Sequence, residues 1–111
     1  MEILNELRHR MESTDSMFQR QLLKEDIARL EKLQLMALSS GRDTFLKEGF
    51  SAGWTKGDLR TFELREPLEE FLGAFYRCAT TAEPTRDDEA RLTEVWRAFD
   101  RIRLEKLIGC L

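Results

Sequence analysis

Few residues in this sequence have the type and spacing to do chemistry. His9 is the only histidine, and it lies between Arg8 and Arg10 with no nucleophile in its sequence context. Nucleophilic catalysis needs a Ser or Cys activated by an adjacent base, so His9 reads as a surface residue. Cys78 and Cys110 are the only cysteines and form no C-x-x-C pair, which leaves zinc without a ligand set. With no secretion signal in view, both read as reduced thiols, Cys78 on an apolar helix face and Cys110 at a frayed end; a disulfide between them is the minor alternative. The acidic run Asp87-Asp88-Glu89 lacks the alternating oxygens and glycine of a calcium loop. Glu69-Glu70 and Asp87-Asp88 are sequence neighbours, so on a helix their carboxyls diverge by about 100°, whereas acid–base catalysis needs them to converge. Gly49, Gly53 and Gly57 are spaced four apart, which is not the G-x-G-x-x-G of a phosphate cradle. The expectation is a protein without enzymatic activity, cofactor or metal.

Two charged residues stand out because they fall where apolar residues belong. Asp26 sits near the centre of an apolar helix face, and an unpaired buried carboxylate costs several kcal/mol. Arg103 points toward the apolar stripe of the last helix, where it either snorkels or meets a buried acid. Arg103 is the mate for Asp26 within the chain; a partner protein is the other supplier, and an edge position for Asp26 between two packing surfaces is the third reading.

The elements that must position these residues are helical. Composition favours Leu, Glu, Arg and Ala, with one valine, and no window alternates with period two. Ile3, Leu4, Leu7 and Met11 make one stripe over residues 2–12. Ser13 to Ser16 then either break the chain, with Ser16 and Gln19 as a capping box, or are spanned by one continuous helix; the break is preferred. Over residues 17–38, Leu22, Leu23, Ile27, Leu30, Leu33, Ala37 and Leu38 share an arc about 160° wide on a helix roughly 33 Å long. Met17, Phe18, Leu35 and Met36 lie off that arc.

Residues 42–66 are expected to fold as a short helix, a turn near 51–56, and a second helix over 57–65 capped by Thr55. Each glycine costs about 1 kcal/mol in a helix interior. They therefore read as hinges turning Phe50 and Trp54 into the core, with close helix packing through Gly49, Ala52 and Gly53 as the alternative. Pro67 reads as a fresh helix start, carrying the stripe Leu68, Phe71, Leu72, Phe75, Tyr76 and Ala79. Thr85 caps the last helix, whose stripe is Leu92, Val95, Trp96, Phe99 and Ile102. Glu94, Arg97, Arg101 and Glu105 form a strip that reads as a self-paired solvated face. The fold expectation is a single all-α domain over residues 1–111: a compact bundle of four to six helices, with two long helices (about 16–38 and 85–108) packed on shorter central ones.

The 111 residues are 41% hydrophobic and 35% charged, with a net charge of −3. Basic and acidic residues are interleaved, so no general attraction to nucleic acid or anionic membrane is expected. No apolar run reaches signal-peptide or membrane-spanning length, and the expected location is the cytoplasm. Leu104, Leu107, Ile108 and Leu111 swing about 120° from the preceding stripe and, with Phe18, Leu35 and Met36, form apolar surface in excess of what a monomer needs. The expected function is therefore a protein–protein interaction module acting as a small regulator, adaptor or inhibitor (a phage-type inhibitor is one such form), working as a homodimer. The rival is a nucleic-acid-binding regulator with a helix-turn-helix-like segment at 45–65, presenting Lys56, Arg60 and Arg65. Five basic and five acidic residues over 42–66 argue against it, because phosphate neutralisation dominates such binding.

Overall fold

A computed structural model describes residues 1–53 and 62–109, with side chains described over 1–49 and 65–105. Among these residues there are five helices and no strand: α1 (Glu2–Ser13), α2 (Met17–Ser39), α3 (Arg42–Gly53), α4 (Phe62–Thr80) and α5 (Arg86–Gly109). The architecture is an all-α bundle. Helices α4 and α5 form the most extensive pair, α1 lies along α2 and touches α5, and α3 bridges α2 and α4. The two long helices, α2 and α5, thus pack on shorter ones.

Helix ends follow side-chain chemistry. The chain does break at residues 14–16, with Ser16 as N-cap accepting from the Gln19 amide at 3.3 Å. The reciprocal half of that capping box is missing: the Ser16 amide donates instead to Thr14 Oγ1, whose hydroxyl donates to Gln19 Oε1 at 2.9 Å. A reciprocal box forms at α5. The Asp88 amide donates to Thr85 Oγ1 at 3.1 Å and the Thr85 amide to Asp88 Oδ2 at 3.2 Å, so two orphan donors are satisfied.

The core draws on every helix through Ile3, Leu7, Leu30, Leu33, Phe45, Leu68, Phe71, Leu72, Phe75, Leu92, Trp96 and Phe99, all at most 2% exposed. Phe71 sits at its centre, 5.1 Å from the Trp96 ring centroid and 5.7 Å from that of Phe75.

Several local expectations are corrected. Helix α3 runs through Gly49 without a hinge; an added Cβ there would meet Leu72 Cδ2 and Cδ1 at 3.1 and 3.2 Å, so the glycine permits close approach of α3 to α4. Helix α4 begins at Phe62 and runs through Pro67 rather than starting there. Proline removes one hydrogen bond, to the Glu63 carbonyl, at a cost of about 3 kcal/mol. The four fully buried side chains Leu68, Phe71, Leu72 and Phe75 bury more than enough apolar surface to offset it. Leu38 is 67% exposed although it was placed on the buried arc of α2. Ala37 takes the inward position, and the next residue turns 100° away from it. Finally, the α5 strip is not self-paired, because Arg97 reaches Glu6 of α1 at 2.9 Å while Glu94 pairs with Arg91 at 3.8 Å. The turn at 51–56 is replaced by helix up to Gly53; Trp54, the Thr55 cap and most of the 57–65 helix lie outside the described residues, as does the side chain of Phe50.

Candidate interaction surface

The structure brings Asp26 and Arg103 together. Arg103 Nη1 donates to Asp26 Oδ1 at 2.7 Å and Nη2 to Asp26 Oδ2 at 2.8 Å, a bidentate pair in which both side chains are at most 2% exposed. Such a fork fixes orientation as well as charge. Arg103 Nη2 also donates to Asp100, one turn back on α5, and Arg29 Nη1 reaches Asp26 Oδ1 at 3.3 Å from the solvent side. The guanidinium lies against the rings of Trp96 and Phe99, 5.5 and 5.6 Å from their centroids. Its Nε is buried without a partner.

Burial alone would lower the Arg103 pKa, but hydrogen bonds and charge from Asp26, with those from Asp100, hold it above its ordinary value. Asp100 behaves oppositely. Burial pushes its carboxyl above the usual range, and the pull of Arg103 only partly opposes that rise. Two carboxylates and two guanidiniums pair within the cluster, leaving Arg103 Nε as its one buried orphan, and what the cluster does chemically is lock α5 against α2.

The outer side of α2 is where apolar surface meets solvent. Among the described residues every large hydrophobic side chain that is highly exposed lies on this helix: Met17 at 83%, Leu35 at 71%, Leu38 at 67% and Phe18 at 64%. Met36, expected in the exposed surface, is half-buried and packs against the core instead. Leu104 is half-buried. Leu107, Ile108 and Leu111 lie outside the residues with described side chains, as do Lys56 and Arg60 of the nucleic-acid alternative. Arg65 is exposed and pairs with Glu69 at 3.8 Å. Leu38, expected on the buried arc, belongs instead to this exposed side; its period with Leu35 and Met17 around the helix was the available signal.

Other candidate chemistry stays apart. Cys78 is buried, donates to the Asp88 carbonyl at 3.4 Å, and has its thiol pushed up to about 11 by burial and by Glu89 and Asp88. His9 is exposed on α1. Grooves beside α4 are lined by Arg42, Glu69, Glu70, Arg77 and Arg91, with Arg91 and Glu70 paired at 3.8 Å. Among the described residues no three His, Cys, Asp or Glu side chains cluster as a metal site requires, and no helix is long and apolar enough to cross a membrane. Set against family models, curated proteins and solved structures, the chain matches none.

Proposed function

We propose that this chain is a non-enzymatic protein–protein interaction module, a small regulator, adaptor or inhibitor that works as a homodimer and acts by docking another polypeptide. One observation carries the reading: Met17, Phe18, Leu35 and Leu38 stand exposed on a single helix whose opposite face already fills the core. Isolated exposed apolar residues are ordinary, but four on one side of one helix is the pattern of a docking surface. The buried Asp26–Arg103 fork supports it by holding α2 rigidly from behind, so that little conformational freedom is lost on binding. The test is affinity capture from the native host, comparing the wild-type chain with Phe18→Asp/Leu35→Asp. Partners retained by the wild type and lost by the double variant support the reading. Equal recovery by both would remove it.

A further inference from the structure

The outer face of α2 carries a second periodicity, and it points to a specific occupant. Positions 17, 21, 24, 28, 31, 35 and 38 step alternately by four and three, which is the a/d spacing of a coiled-coil seam. Every one of these residues is exposed: Met17, Gln21, Lys24, Ala28, Glu31, Leu35 and Leu38. The apolar members lie at the two ends, the charged ones in the waist, and the smallest side chain, Ala28, at the middle.

That layout is self-complementary under a two-fold axis at Ala28. Lys24 lies four residues before Ala28 and Glu31 three after it; Glu25 and Lys32 lie three before and four after. Reversing one copy over another brings position 24 level with 32 and 25 level with 31, but Lys24 and Glu31 lie on one flank of the seam and Glu25 and Lys32 on the other. The nearest cross-pairs, one residue out of level, are therefore Lys24 with Glu31 and Glu25 with Lys32, each twice. Phe18 and Leu38 are each ten residues from Ala28, about 15 Å along the axis, so the Met17–Phe18 end of one helix meets Leu38 of the other. A parallel in-register pair would instead oppose Lys24 to Lys24 and Glu31 to Glu31, which is repulsive. Glu31 already meets Arg8 of its own chain at 3.3 Å, but both side chains are about half exposed, so that pair is weak and leaves Glu31 able to accept a second cation.

We infer that α2 is the self-association helix: two copies pair antiparallel through the 17–38 seam, crossing at Ala28 with a shallow angle of about 20°. A steeper crossing would splay the ends and leave Met17, Phe18 and Leu38 wet. The interface is isologous, so each substitution acts twice. It rests on the docking reading above and names a second copy of this chain as the occupant of the α2 face, so that another polypeptide docks there only in competition with the dimer. A single helix pair buries less than the standard interface of about 800 Å² per partner, so the dimer is weak and concentration-dependent.

The test is sedimentation equilibrium of the full chain from roughly 1 µM to 1 mM, the range such contacts occupy. The wild type is expected to pass from monomer to dimer. Leu38→Asp weakens association about tenfold or more, as truncating an apolar anchor does. Lys24→Glu weakens it by roughly threefold to tenfold, and adding Glu31→Lys restores it, because the swapped charges still attract. All are surface changes, checked for retained helicity by circular dichroism. In a Cys110→Ser background, Ala28→Cys should oxidise to a linked dimer, whereas Leu35→Cys, about 21 Å from its own copy in this arrangement, should not. Equal linking of both cysteines overturns the antiparallel register. A wild-type chain that stays monomeric throughout overturns the inference outright. A dimer indifferent to Leu38→Asp and Lys24→Glu would place self-association elsewhere. Host capture lost on Phe18→Asp/Leu35→Asp by a monomeric chain would leave the docking reading standing while this inference falls.

Discussion

Arg103→Met tests whether the Asp26–Arg103 fork is what joins α5 to α2. Methionine has comparable length and keeps the apolar stem against Trp96 and Phe99, so the change removes charge and hydrogen bonds more than volume. It strands Asp26, which is 1% exposed and keeps only Arg29 at 3.3 Å. Removing one partner of a buried pair costs about 3–5 kcal/mol, and the surviving Arg29 contact puts this case near 3. A chain of this length has total stability on the order of 6–17 kcal/mol, so the loss is a large fraction. It should lower Tm by about 10 °C or more. Asp26→Leu should cost somewhat less, since Arg103 retains its bond to Asp100. The double variant Asp26→Leu/Arg103→Met removes both charges of the fork, and Asp100, which loses its guanidinium, is already pushed toward its neutral form by burial. The double variant should therefore be more stable than Arg103→Met alone, with a coupling of about 2–3 kcal/mol. Urea unfolding followed by circular dichroism measures all three. A cost below about 1 kcal/mol for Arg103→Met, or simple additivity in the double variant, would refute the claim that the two charges depend on one another.

Three further outcomes are expected. Gly73→Ala should stabilise the protein by up to about 1 kcal/mol, because its new Cβ meets only Arg42 Nη2 at an ordinary 3.7 Å, whereas Gly49→Ala should destabilise it by roughly 1 kcal/mol by crowding the fully buried Leu72; chemical denaturation compares them. Carboxyl-detected NMR titration should find Asp100 titrating above the ordinary aspartate value and Asp88 below it, the first because of burial and the second because Thr85 donates to its carboxylate. By linkage the Asp100 contribution to stability is fully present below pH 3.8 and is lost as pH rises through its folded pKa, while the Asp88 contribution is present above pH 3.8 and lost as pH falls through its own. In a Cys110→Ser background, Cys78 should resist thiol reagents at pH 8 and react only on unfolding, since burial holds its pKa near 11.

What was legible in the sequence, and what was not, divides along the boundary between a helix and its neighbours. Caps are local chemistry, and Ser16 and Thr85 mark the starts of α2 and α5 because a hydroxyl and an amide three residues on are enough to do it. Asp26 was legible for a related reason: a charge on an apolar arc has to be compensated, and Arg103 points toward the apolar stripe of the last helix. Gly49, Pro67 and Leu38 were misread because each outcome depends on another element. A glycine hinges a helix or lets a neighbour approach according to whether Leu72 lies over it. A proline ends a helix or is carried through it according to how much apolar surface is buried beyond it. Leu38 lies within the wheel's apolar arc but near its edge, where a few degrees of cover from a neighbour decide burial. A wheel reports azimuth; it does not report which azimuths another helix reaches. Nor can one wheel separate two superposed periods on the same helix. In α2 the residues that face the core and the exposed seam through Met17, Ala28 and Leu38 interleave, and the seam passed as leftover apolar residues because, among the described residues, its members stay exposed, with Glu31 alone meeting Arg8 of α1. Only the packed bundle separates the two: one side of α2 is held by the buried Asp26–Arg103 pair, and the other carries the exposed seam on which the proposed second copy would dock.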